Sequence, residues 1–186
     1  MANSDRSPKA DPGQRVRVAT VWLCGCSGCH MALLDLDEKL LDLAALVDFV
    51  ASPIMDVKQF PECDVALVEG AVGTSADLET LKVVRQRSRL VVALGDCAAM
   101  AGVPTLRNAF SLTEVLERAY VEAESNATLI VPDQDVPGLL SAVRPIHAYV
   151  EVNAFVPGCP PSVEAIWNAL QGLLGREPSP VELRYD

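Results

Sequence analysis

Short apolar runs rich in β-branched residues alternate along this chain with stretches whose apolar residues recur at helical spacing. Arg15 to Trp22 has the composition of a strand. Beyond it Leu33, Leu36, Leu40, Leu43, Ala44 and Val47 fall on one helical period, which predicts a helix from about Met31 to Phe49, ending before Pro53. Asp35, Asp37 and Glu38 occupy its opening turns, where the helix dipole favours carboxylates. Asp64 to Glu69 is a continuous apolar run of strand length and reads as buried on both faces. Ser75 is the expected cap of the next helix, with Leu78, Leu81 and Val84 on one stripe and Lys82, Arg85 and Arg87 in the later turns. Leu90 to Leu94 reads as a third buried strand, broken at Gly95-Asp96-Cys97. A polar helical segment follows around Leu112 to Glu124, then a loop-rich stretch from Asn126 to Pro145. Ala148 to Phe155 is the last expected strand, and Ser162 caps a final helix to about Leu174.

This order predicts an α/β fold: a parallel sheet with helices on both faces, because parallel neighbours need crossover connections. One domain is expected over residues 15–175, between a flexible tail at 1–14 and a short one at 176–186. In such a sheet every strand end that leads into a helix lies on one edge, where ligands bind. Cys26 and Cys29 follow the first strand, Glu69 ends the second, Cys97 follows the third and Cys159 the last. Topology thus gathers four cysteines that are remote in sequence.

Composition narrows the chemistry. Half the residues are apolar, yet no apolar run is long enough to span a bilayer, so the excess is expected in a core or against partner subunits. A net charge of −10 argues against a nucleic-acid backbone as ligand. The first residues show neither an apolar export segment nor paired arginines, and a cytoplasmic location is expected. In that reducing compartment six cysteines point to metal or redox chemistry rather than to disulfides.

Four converging thiolates hold either zinc or an iron–sulfur cluster. One close pair joined by two distant single residues suits a bulky cubane better than one ion, although zinc stays open. A Cys-x-x-Cys between strand and helix also fits a dithiol oxidoreductase, which would leave Cys97 and Cys159 without a role. Cys24 could take the place of Cys26, line the site, or pack as a small apolar side chain, and is left out of the ligand set. Cys63 precedes its strand at the far edge and reads as structural. Glu69 is either a carboxylate beside the site or a solvated strand end. His30 either packs or offers a hydrogen bond to a cluster sulfur. His147 reads as structural and Trp22 as core.

Three motifs add to this. Cys26-Ser27-Gly28-Cys29, Gly95-Asp96-Cys97-Ala98-Ala99 and Pro157-Gly158-Cys159-Pro160-Pro161, with Val68-Glu69-Gly70, resemble the small subunit of the [NiFe] hydrogenases. Within that family the chain looks like the short subunit of the cytoplasmic NAD(P)-linked group. The resemblance implies a flavodoxin-like fold, and Cys26, Cys29, Cys97 and Cys159 as ligands of a single proximal [4Fe–4S] cluster. It also implies an electron-relay role in a hydrogen:NAD(P)+ oxidoreductase, with the nickel–iron site on a large partner subunit. Diaphorase subunits carrying further iron–sulfur clusters and FMN are implied as the onward partners, and an FMN on this chain itself is not favoured. Where the family segment commonly closes with paired glycines, this chain has Ala101-Gly102. The matching subunit of respiratory complex I shares most motifs but shows adjacent cysteines, whereas here Gly25 separates Cys24 from Cys26.

Overall fold

The computed structural model describes residues 15–175; the stretches expected as tails lie outside the described residues. Seven strands and six α-helices follow in the order β1 (Val16–Trp22), α1 (Gly28–Leu34), α2 (Lys39–Leu46), β2 (Val47–Ala51), β3 (Cys63–Glu69), β4 (Val72–Thr74), α3 (Ser75–Arg87), β5 (Ser88–Leu94), α4 (Gly95–Met100), α5 (Leu112–Leu116), β6 (Leu139–Arg144), β7 (Ala154–Val156) and α6 (Val163–Leu173). Five strands form one sheet in the order β2-β1-β3-β5-β7, and every pairing in it is parallel. Counting only these five, the order is 2-1-3-4-5, the doubly wound flavodoxin-like arrangement, whose ligand crevice opens between β1 and β3 where the winding reverses.

Alternation along the central strands separates two cores. Val65, Leu67, Leu90, Val92 and Leu94 pack on one face with Leu33, Leu43, Ile166 and Leu170. Ala66, Val68, Val91 and Ala93 pack on the other with Leu81, Val84, Ala98 and Ile146. Helices therefore cover both sides, which is why β3 and β5 read as unbroken apolar runs rather than as alternating ones.

Several elements differ from the sequence expectations. The helix expected from Met31 to Phe49 is two short helices, interrupted where Asp37 takes a left-handed φ of 49°, and its last residues form β2 instead. Val47, Phe49 and Val50 are β-branched or aromatic, and pairing with β1 (Val16 with Val47, Val18 with Phe49) wins over the leucine period that runs into them. The cap of α3 is Thr74, not Ser75. Its hydroxyl accepts from the Asp77 N–H at 3.1 Å, while the Asp77 carboxylate accepts from the Thr74 N–H at 2.8 Å, a reciprocal box set one residue earlier. The expected strand from Ala148 shrinks to β7, because Asn153 turns its side chain to accept from the Val91 N–H at 2.8 Å. The loop-rich stretch contains β6, which pairs antiparallel with β4 in a separate two-stranded ribbon. The helical segment expected at 112–124 continues past α5 as one π-helical turn over residues 117–121.

Candidate metal centre

The loops that follow β1, β3, β5 and β7 meet at the carboxyl edge of the sheet, and backbone hydrogen bonds stitch them together. Cys24 N–H donates to Ala71 O at 3.0 Å and Ala71 N–H donates back to Cys24 O at 2.7 Å, tying the β1 loop to the β3 loop. Asp96 N–H donates to Gly158 O at 2.9 Å and Gly158 N–H donates to the Asp96 carboxylate at 2.7 Å, tying the Cys97 loop to the Cys159 loop. Two glycines let the loops close. A Cβ on Gly70, at φ +91°, would lie 2.8 Å from the Leu23 carbonyl carbon. One on Gly95, at φ +82°, would lie 2.2 Å from the Cys29 sulfur, so the Cys29 thiol fills the space that glycine vacates. Ala101 also has a left-handed φ, 64°, at the place where the sequence departs from paired glycines.

The predicted ligands come together, in two settings. Cys26, Cys97 and Cys159 line a cavity of about 380 Å³, with Cys24 also on its wall. Cys29 is off the cavity wall, buried against Gly95. All six cysteines are free thiols. Burial pushes the Cys29 thiol up to about 12, and the charges of Glu69, Cys97, Cys26 and Cys159 add to that rise. The Cys97 thiol is raised too, mainly by burial and then by Cys159 and Cys26. The negative charge that gathers when Cys29 and Cys97 ionise beside their neighbours is what a cationic core would offset.

The size of that core follows from the same geometry. Among the described residues, no three His, Cys, Asp or Glu side chains cluster in the way that would hold a metal ion. The cavity is more than tenfold the roughly 30 Å³ share of one water molecule. Thiols spread around such a volume leave room for a polynuclear iron–sulfur cluster. They also disfavour a simple dithiol pair, since Cys97 and Cys159 share the site.

Two polar residues left open by the sequence acquire definite places. Glu69 is 2% exposed, which rules out a solvated strand end. Its Oε2 accepts from the His30 N–H at 2.9 Å and pairs with His30 Nδ1 at 2.5 Å. Trp22, read as core, is 40% exposed and stands edge-on to the His30 ring with centroids 5.2 Å apart. Cys63 sits at the opposite edge, buried, with its sulfur 3.2 Å from the Ser88 hydroxyl. His147 lies in a single 3-10 turn and makes an edge contact with Phe155.

Sequence reasoning missed the outer wall. Val103, Pro104 and Arg107 from a 3-10 segment, with Leu139 and Val143 of β6, close the cavity opposite the cysteine loops. Arg107 donates to Leu140 O at 2.9 Å, which holds a guanidinium at the cavity wall. A lone arginine in a polar stretch gives no periodic signal, and the ribbon that receives it pairs residues far apart in sequence.

A pH dependence follows. The folded chain holds the Cys29, Cys63 and Cys97 protons above the ordinary thiol range, where the unfolded chain releases them. Their contribution is complete below about pH 8.5 and is lost as pH climbs toward the raised folded values. Cluster-free protein is expected to lose stability from about pH 8.5 upward, with a shallower fall in Cys29→Ser, as read by urea unfolding at a series of pH values.

Known proteins resemble this chain over most of its described length. The family described as NADH ubiquinone oxidoreductase, 20 Kd subunit, matches residues 26–173. The delta subunit of the NAD-reducing hydrogenase HoxS of Cupriavidus necator is 38% identical over 169 residues, covering 88% of this chain and 81% of that protein. A subunit of the F420-non-reducing hydrogenase vhu of Methanococcus voltae is 41% identical over 167 residues; the match covers 88% of this chain but only 58% of that longer protein. A chain in the crystal structure of an NAD+-reducing [NiFe]-hydrogenase in the H2-reduced state superposes with a TM-score of 0.86 at 42% identity. That match covers 93% of this chain and all of the other.

Proposed function

This chain belongs to the family of the 20 kDa subunit of NADH ubiquinone oxidoreductase, in its hydrogenase small-subunit branch, and on that premise we propose that it is the electron-relay subunit of a cytoplasmic NAD(P)-reducing [NiFe] hydrogenase. Cys26, Cys29, Cys97 and Cys159 would hold one [4Fe–4S] cluster, placed next to the nickel–iron site of a large partner subunit. Diaphorase subunits with iron–sulfur clusters and FMN would take the electrons onward to the nicotinamide. The observation that carries this reading is the meeting, at one sheet edge, of Cys26, Cys97 and Cys159 around one cavity, with the Cys29 sulfur packed against Gly95.

A bound cubane supplies one-electron storage at a potential set by hydrogen bonds, burial and charge. The chain's own residues supply the rest. The parallel sheet fixes the loop roots, and the Asp96–Gly158 and Cys24–Ala71 hydrogen bonds hold the loops in register. Glycine at 70 and 95 allows their close approach. Cys26 and Cys159 are exposed, which brings one side of the site to the surface, within reach of a partner. Met31, Leu34, Met100, Val103 and Leu106, all exposed and close in sequence to the ligand loops, provide apolar surface for such a partner. Among the described residues no helix is long and apolar enough to cross a membrane.

The hydrogenase reading is preferred to a quinone-linked one because the relatives that match over 88% of the chain are hydrogenase subunits. Anaerobic purification of the native complex through a tag on this chain tests it. Nickel co-purifying with a large partner, and hydrogen-dependent reduction of NAD+ or NADP+, are expected. A nickel-free complex that reduces quinone would overturn it.

A further inference from the structure

The outer wall of the thiol cavity comes from outside the loops that carry the predicted ligands, and the relay role leaves unexplained how it stays in place. Leu139 and Val143 of β6 form it with Val103, Pro104 and Arg107 of the 3-10 segment Val103–Ala109. Among the described residues β6 pairs only with the three-residue β4, in a ribbon separate from the main sheet. A ribbon of two strands is marginally stable in water, so this one needs outside support. Two adjacent side chains supply it. Asn108 Nδ2 donates to Val143 O at 2.9 Å, while the Val143 N–H donates to Asn108 Oδ1 at 2.7 Å, so one amide takes both backbone groups of Val143 as a third strand would. Arg107 Nη2 donates to Leu140 O at 2.9 Å and to Gly73 O at 3.4 Å, and so reaches both strands of the ribbon. The buried Val143 side chain packs with Ala71, in the loop after β3, and with Ala101, which ends the helix that carries Cys97. Val143 therefore joins these two side chains to the cysteine loops.

We propose that Asn108 and Arg107 are positioning residues that latch the β4–β6 ribbon over the thiol cavity, and so control how readily small solutes reach a cluster held there. This rests on the cluster assignment above. The wall residues named here are apolar apart from Arg107, and an apolar shell around a metal site limits the access of solvent. When the ribbon lifts, Cys26, Cys97 and Cys159 lose their cover on that side. Where such opening is fast, attack on the site follows the population of the open form. Losing two hydrogen bonds of ordinary net strength raises that population by about tenfold.

The test is the rate at which bipyridine, a small neutral iron(II) chelator, bleaches the anaerobically reduced complex, with iron and acid-labile sulfide measured beforehand on the same samples. Partner chains are identical in every sample, so a phase that changes belongs to this chain. Asn108→Ala is expected to assemble a full cluster that bleaches about tenfold faster than in the wild type. Asn126→Ala is the control for a merely structural loss. Its Nδ2 also donates twice to backbone, to Ala119 O at 2.8 Å and Tyr120 O at 3.1 Å, but it lies off the cavity, and the wild-type rate is expected. Asn108→Ala bleaching at the wild-type rate would overturn the proposal, as would Asn126→Ala accelerating as much. If Asn108→Ala assembles no cluster, the other half of the latch decides. Arg107→Met bleaching faster while Arg107→Lys, which keeps a donor for Leu140 O, stays near the wild type supports the latch; equal rates in the two contradict it. A wild-type complex without a cluster on this chain would refute the relay reading itself, before any variant is compared.

Discussion

Cys97→Ala is expected to leave the anaerobically purified chain without its cluster, whereas Cys63→Ala is expected to retain it in full. Both residues are free cysteines beside parallel strands of the same sheet, and both thiols are raised by burial. They differ in which end of the sheet they occupy. Cys97 lies in the first turn of α4, at the carboxyl edge, where Cys159 and Cys26 act on it. Cys63 opens β3 at the other edge, where its sulfur meets the Ser88 hydroxyl. Losing one of four thiolates exposes the cluster to solvent and leaves an iron without its ligand. Losing Cys63 removes a buried polar contact, for which a cost of about 1 kcal/mol in stability is expected. Iron and sulfide analysis, with thermal unfolding of the same preparations, separates the two effects. Equal iron content in both variants would contradict the assignment of Cys97.

Gly95→Ala is expected to have the second largest effect, although it alters no ligand. The backbone there sits at φ +82°, where an L side chain costs about 1–2 kcal/mol. The new methyl would also stand 2.2 Å from the Cys29 sulfur, so the most deeply buried of the four thiols must move. Cluster content is expected to fall together with a drop of roughly 4 °C or more in Tm. Gly172→Ala is the control: it lies in α6, a Cβ there meets nothing within 4 Å, and alanine favours a helix by about 1 kcal/mol. Full cluster loading in Gly95→Ala would show that the Cys29 thiol does not need the space this glycine leaves.

The convergence of the cysteines was legible in the sequence because it depends on strand order and chain direction, which apolar runs such as Asp64 to Glu69 and Leu90 to Leu94 reveal directly. Both turned out to be central strands buried on two faces. What stayed hidden depends on partners distant in sequence. Val47 to Ala51 continues a leucine pattern and becomes a strand only because β1 offers an open edge. The three-residue β4 is a strand only by pairing with β6, more than sixty positions away, and that ribbon supplies part of the cavity wall. Trp22 reads as core by type, yet it ends its strand at the ligand edge and stays partly exposed against His30. Glu69 could be placed at the right edge by pattern alone. Its burial and its hold on His30 required the fold.

All of these expectations descend from one claim, that four cysteines drawn from three loops enclose a single iron–sulfur core. The most direct measurement is iron and acid-labile sulfide per chain in anaerobically purified wild-type protein, with the EPR spectrum of the reduced sample. The account predicts about four of each per chain and one paramagnetic centre, as a single cubane requires. Protein that is stable and folded but carries zinc, or that holds no iron under those conditions, would contradict it.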